Sequence, residues 1–84
     1  MGKKQIGKVS HFFSKISVVV VDLTDQLKVG DKISIEGRGN VLEQTVASIQ
    51  MEHENIESAK AGESIGLKVD SPVKEGDIVF KIEE

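Results

Sequence analysis

Two runs of alternating apolar residues constrain this chain most: Ile65, Leu67 and Val69, then Ile78, Phe80 and Ile82. Successive side chains on a β-strand point to opposite faces, so each run reads as a strand with one face in a core. Between them stand Ser71-Pro72 and Gly76-Asp77, turn formers because Pro fixes φ and Gly accepts a positive one. The second turn has an earlier counterpart. Leu27-Lys28-Val29-Gly30-Asp31-Lys32-Ile33 and Val73-Lys74-Glu75-Gly76-Asp77-Ile78-Val79 share the form apolar-Lys-x-Gly-Asp-x-(Ile/Val). A Gly-Asp corner therefore precedes a strand twice, as a barrel needs where its rim redirects the chain. Two copies make a repeated corner, not a solenoid.

The remaining segments are also short strands. The rule that untethered termini fray predicts a flexible basic arm at 1–4. Residues 5–13 read as a first strand; Ile6, Val9 and Phe13 fall out of period-2 phase, which places a bulge near Gly7. The β-branched run 16–21 predicts a deeply buried strand. A short strand at 32–36 points Ile33 and Ile35 inward. Gly37-Arg38-Gly39-Asn40 makes a hairpin loop, and 41–52 returns as one longer strand with Val46, Ile49 and Met51 slightly out of phase. Residues 53–61 predict a single helical turn with Ile56 and Ala59 inward, ended by Gly62. The expected core is Val18 or Val20 with Ile33, Ile49, Leu67 and Ile78. Six or seven short strands without a useful amphipathic helix predict an all-β fold, a small closed antiparallel barrel.

Composition narrows the function classes. Eighty-four residues make one domain, 1–84, which buries only about 60% of its unfolded surface. At 38% hydrophobic and 30% charged residues, the chain is neither disordered nor membrane-like, and no 18-residue apolar run offers a helical span. The run 16–21 is too short and too deep for a secretion signal, so the expected location is cytoplasmic. The absence of cysteine excludes disulfides, thiolate metal sites and cysteine nucleophiles. Residues 1–42 hold seven Lys/Arg against four Asp/Glu, whereas 43–84 hold four against ten. That asymmetry marks either a nucleic-acid-facing side or ordinary solubility charge.

The succession Ile6-Gly7-Lys8-Val9, then 27–35 around Val29-Gly30-Asp31, then Val46-Ala47-Ser48-Ile49, then 59–67 around Ala61-Gly62-Glu63, then Glu75-Gly76-Asp77-Ile78-Val79, resembles the second domain of translational GTPases such as elongation factor Tu. It runs through nearly the whole chain and implies a six-stranded closed barrel of the translation-factor domain 2 type. The same signature resembles the small C-terminal barrel of the collagenase-like peptidase family. Where the translational GTPases carry Gly-Arg-Gly-Thr on the first strand, this chain has Gly7-Lys8-Val9-Ser10. No Gly-x-x-x-x-Gly-Lys-Ser/Thr occurs, so the chain has no P-loop and binds no nucleotide by itself.

Catalytic constellations are missing from the sequence. His11 and His53 lack zinc-ligand spacing, and Glu52, Glu54 and Glu57 around His53 read as a solvated acidic edge. No Ser-His-Asp order or Gly-x-Ser-x-Gly elbow appears. No enzyme, metal or cofactor is expected. What remains is a basic strip, since the first fifteen residues hold four lysines and no acid beside Phe12 and Phe13. Cations beside aromatic rings suit single-stranded RNA, which makes Lys3, Lys4, Lys8, His11, Lys15 and Arg38 the candidate contacts. The plainer reading is a solvated edge strand with one Phe in the core. The expected function is a non-enzymatic binding module that contacts RNA or a tRNA- or ribosome-associated protein, without membrane contact. The alternative is an accessory domain that partners an enzyme of the collagenase-like peptidase kind.

Overall fold

The computed structural model describes residues 2–52 and 54–83, apart from the side chain of Asn40, and among them it holds ten strands and no helix. They are β1 (Gly2–Phe13), β2 (Val18–Leu23), β3 (Leu27–Lys28), β4 (Lys32–Gly37) and β5 (Asn40–Thr45), followed by β6 (Ile49–Met51), β7 (Glu54–Ile56), β8 (Ser58–Ala59), β9 (Ser64–Lys68) and β10 (Ile78–Glu83). Eight of them form one antiparallel sheet in the order β5-β4-β10-β1-β2-β9-β6-β7, while β3 pairs with β8. No helix here is long and apolar enough to cross a membrane.

The long first strand organises the sheet. β1 pairs with β10 along one edge and β2 along the other, and its register slips between Gln5 and Gly7 and again between Val9 and His11. The bulge expected near Gly7 is there. The frayed arm is not, because Gly2, Lys3 and Lys4 pair with Glu83, Ile82 and Lys81; Met1 lies outside the described residues.

The sheet curls around its core but is not closed into a six-stranded barrel, which corrects the expected fold. β5 stops at Thr45 and forms no ladder with the far side of the sheet. The Gln44 side chain takes the place of a ladder step: its amide donates to the Lys68 carbonyl at 2.8 Å and accepts from the Asp70 N–H at 3.1 Å.

Three corners, not two, hold the curl. In Lys28–Asp31 and Lys74–Asp77 the Asp carboxylate accepts the Lys backbone N–H at 2.9 and 3.0 Å, while the Asp N–H donates back to the Lys carbonyl. Lys60-Ala61-Gly62-Glu63 makes the same pair of bonds with Glu, the side chain closing at 2.7 Å. Each corner needs a positive φ at its third residue, and Gly30, Gly62 and Gly76 stand at 96°, 89° and 91°. Each also grips one buried apolar residue by two backbone hydrogen bonds. Gly30 and Asp31 hold Val46, Gly62 and Glu63 hold Leu23, and Gly76 and Asp77 hold Val9. All three gripped residues are buried.

This grip explains a second correction. The expected single strand over 41–52 is divided into β5 and β6, because Val46 spends its backbone groups on the first corner and leaves the ladder. The helical turn expected at 53–61 is also absent: β7 and β8 lie there, with Ile56 half-buried and Ala59 buried as expected. His53 lies outside the described residues.

Among the described residues the core comprises sixteen apolar side chains, including Ile6, Leu27, Ile33, Ile35, Ile49, Ile65, Leu67 and Val79. Ile33, Ile49 and Leu67 are buried as expected, but two strands take the opposite phase. Val19 and Val21 face inward in β2 rather than Val18 and Val20, and Val79 faces inward in β10 rather than Ile78. In β2 the run Val18–Val21 is apolar throughout, so alternation alone does not choose the face. In β10 the polar residue misleads: Lys81 shares the inner side with Val79 and reaches Asp31 at 3.4 Å. Ile16 stays outside the strand, 60% exposed.

Candidate interaction surface

The reversed phases leave apolar side chains on the outside of the sheet. β10 presents Ile78, Phe80 and Ile82 there, all half-buried, beside Ser34 and Glu36 of β4. Ser34 is fully buried beneath this surface and donates its hydroxyl to Glu36 at 3.0 Å. Across β1 and β2, Phe13 pairs with Val18 and His11 with Val20, and Val18 and Val20 pair in turn with Lys68 and Gly66 of β9. This outer face is a mixed apolar and charged platform.

The basic strip is divided by its surroundings. Lys3 reaches Glu36 at 2.5 Å and Lys4 reaches Asp25 at 2.6 Å, while His11 Nδ1 lies 3.3 Å from Glu75. The hydrogen bond from each lysine raises its pKa, and in return Glu36 and Asp25 are held below the usual carboxylate range by Lys3 and Lys4 respectively. Lys8, Lys15 and Arg38 have no acid within 4.0 Å among the described residues. Those three are not side by side: Lys8 is mid-strand on β1, Lys15 is in the turn at 14–17, and Arg38 is in the turn between β4 and β5. Phe12 packs on the core and Phe13 is 45% exposed, its ring 4.6 Å from that of His11.

The turn at 14–17 carries open apolar surface. Phe12, Phe13, Ser14, Lys15 and Ile16 line a shallow depression of about 290 Å³. Ile16 also borders a second, of about 270 Å³, with Val18, Ser48, Gln50 and Lys68. At the opposite edge of the sheet a groove of about 430 Å³ runs between β5 and the 71–74 segment, past the exposed Val41. No group of three His, Asp or Glu among the described residues is arranged to hold a metal ion.

The sequence and the fold have relatives. Over 83 residues, 98% of its length, the chain is 41% identical to an uncharacterized protease of Methanocaldococcus jannaschii. It spans about a fifth of that protein, 20% of its length. In structure it matches the C-terminal domain of a putative U32 peptidase from Geobacillus thermoleovorans, with a TM-score of 0.88 over 95% of this chain and 93% of that domain. This is the fold of a U32 peptidase C-terminal domain. Identity to it is 17%, and the selenomethionine variant of the same domain gives a TM-score of 0.85 at 16% identity, over 90% and 96% of the two chains. No family model matches the sequence. These relatives follow the resemblance to collagenase-like peptidases; the one to the translational GTPases gains no support from them.

Sequence reasoning missed the outward apolar residues of β2 and β10: the signal in β2 was the exposed Asp22, two residues after Val20, whereas in β10 Lys81 pointed to the wrong face. It also missed the third corner. Its signal was present, since Ala59-Lys60-Ala61-Gly62-Glu63-Ser64-Ile65 matches the repeated form once Glu is allowed for Asp.

Proposed function

We propose that this chain serves as a non-catalytic accessory domain for a peptidase of the U32, collagenase-like kind, offering it a protein-binding face. The observation that carries this reading is the 41% identity along nearly the whole chain to a segment of a protease. The shared fold supports it, and so does the outer platform, because domains within one protein meet over roughly 600–1,500 Å² of mixed polar and apolar surface.

The test is assembly in trans. The Methanocaldococcus jannaschii relative is prepared without its matching segment and titrated with this chain in the calorimeter. The expected result is a saturable one-to-one complex, with no hydrolysis of fluorescent gelatin by this chain alone. Absence of association, or gelatin hydrolysis by the isolated chain, would overturn the reading.

A further inference from the structure

We infer that the depressions meeting at Ile16 form a docking site for an acidic polypeptide segment with apolar side chains, an inference that rests on the accessory-domain reading and names the surface and its ligand. The two hollows are neighbours on either side of Ile16, whose side chain borders both. Val18, in the second hollow, is paired with Phe13 on one side and Lys68 on the other. Beside it the sheet dips at Gly66, where a Cβ would come within 3.3 Å of Val18 Cγ1. The apolar floor is thus Val18 in one hollow and Phe12 and Phe13 in the other, with Ile16 between them.

Charge selects the occupant. The residues lining the two hollows include Lys15 and Lys68 and no carboxylate, although the whole chain carries a net charge of −3. Neither lysine has an acid within 4.0 Å among the described residues. A segment that brings Asp or Glu to these two ammonium groups and Leu, Ile or Phe to the floor is complementary in both respects, and like charges would be repelled. Contiguous exposed apolar surface rimmed by polar groups is the usual mark of a protein contact.

Nucleic acid fits less well. Two cations neutralise few phosphates, Ile16 offers no stacking plane, and the Phe13 ring already packs at a 59° tilt on His11.

The experiment pans a random short-peptide library, displayed on phage, against the immobilised full chain. Selected peptides are then measured by fluorescence anisotropy. The expected peptides are rich in Asp and Glu alternating with Leu, Ile or Phe, and they bind more weakly as salt rises. Ile16→Asp should weaken them at least about tenfold, the scale of one central apolar contact. The double variant Lys15→Glu/Lys68→Glu should weaken them too and favour basic peptides instead. Both variants change exposed groups, and circular dichroism verifies their fold. Selection of basic or uncharged peptides, no enrichment, or equal binding by Ile16→Asp overturns the inference. Displacement of the peptides by a poly-uridine oligonucleotide of comparable affinity overturns it in favour of nucleic acid. These outcomes leave the assembly test untouched, so the two ideas fail separately.

Discussion

Gly76 stands at φ 91° with open space where a Cβ would project, so any cost of a side chain there comes from the backbone conformation alone. Gly76→Ala should destabilise by about 1–3 kcal/mol, seen as a lower urea midpoint; an unchanged midpoint would refute the corner geometry. Gly37 is a different case. A Cβ there would meet the Asp77 carboxylate, with Cγ only 2.6 Å away, so Gly37→Ala should loosen the same corner by pushing its capping side chain aside. At this scale the sequence was readable where chemistry singled out a residue, as Gly-Asp did. It misled along Ile78-Val79-Phe80-Lys81-Ile82, where Lys81 sets Ile78, Phe80 and Ile82 apart as the apolar face although Val79 is the buried residue. The repeat held the missing clue, since Ile33, Ile65 and Val79 occupy its last position and all three are buried.

Among elements, the three corners behave as equivalent parts. Asp31→Ala, Glu63→Ala and Asp77→Ala each remove one side-chain acceptor from a Lys N–H, so each should lower stability by a similar amount, about 0.5–1.5 kcal/mol. A Glu63→Ala protein as stable as its parent would remove the third corner from the set. The strand phase has its own test. Leu67 is buried on β9, and Leu67→Ala should cost about 2–5 kcal/mol, whereas Ile78→Ala on the outer face should cost clearly less. Equal losses would mean that β10 is turned the other way. The exposed pairs Lys3–Glu36 and Lys4–Asp25 tie β1 to β4 and to the segment after β2. Because both carboxyls have folded pKa values below their unfolded ones, their contribution is present above the unfolded value, near 4, and is lost as the pH falls through the folded value. Urea midpoints should therefore drop with acidification through this range, less steeply in Glu36→Gln/Asp25→Asn. A double variant with the parent's slope would contradict this.

For the molecule as a whole, short strands and turn residues were enough to read an all-β domain, because period-2 alternation and Gly corners act locally. Closure was not legible, since it depends on whether β5 reaches the far side of the sheet, and Val46 is drawn away by a corner some fifteen residues earlier. The candidate surface was only half legible. Charge marked Lys3, Lys4, Lys8, His11, Lys15 and Arg38, but three of these six have acids at hand, and exposed apolar surface lies at Ile16, which read as strand. The proposed role of this domain is to assist a peptidase through protein contact. Its most direct test compares gelatin hydrolysis by three forms of the Methanocaldococcus jannaschii relative: intact, without the matching segment, and with this chain grafted in its place. The account expects the deletion to raise KM and the graft to restore it; identical hydrolysis by all three would contradict it.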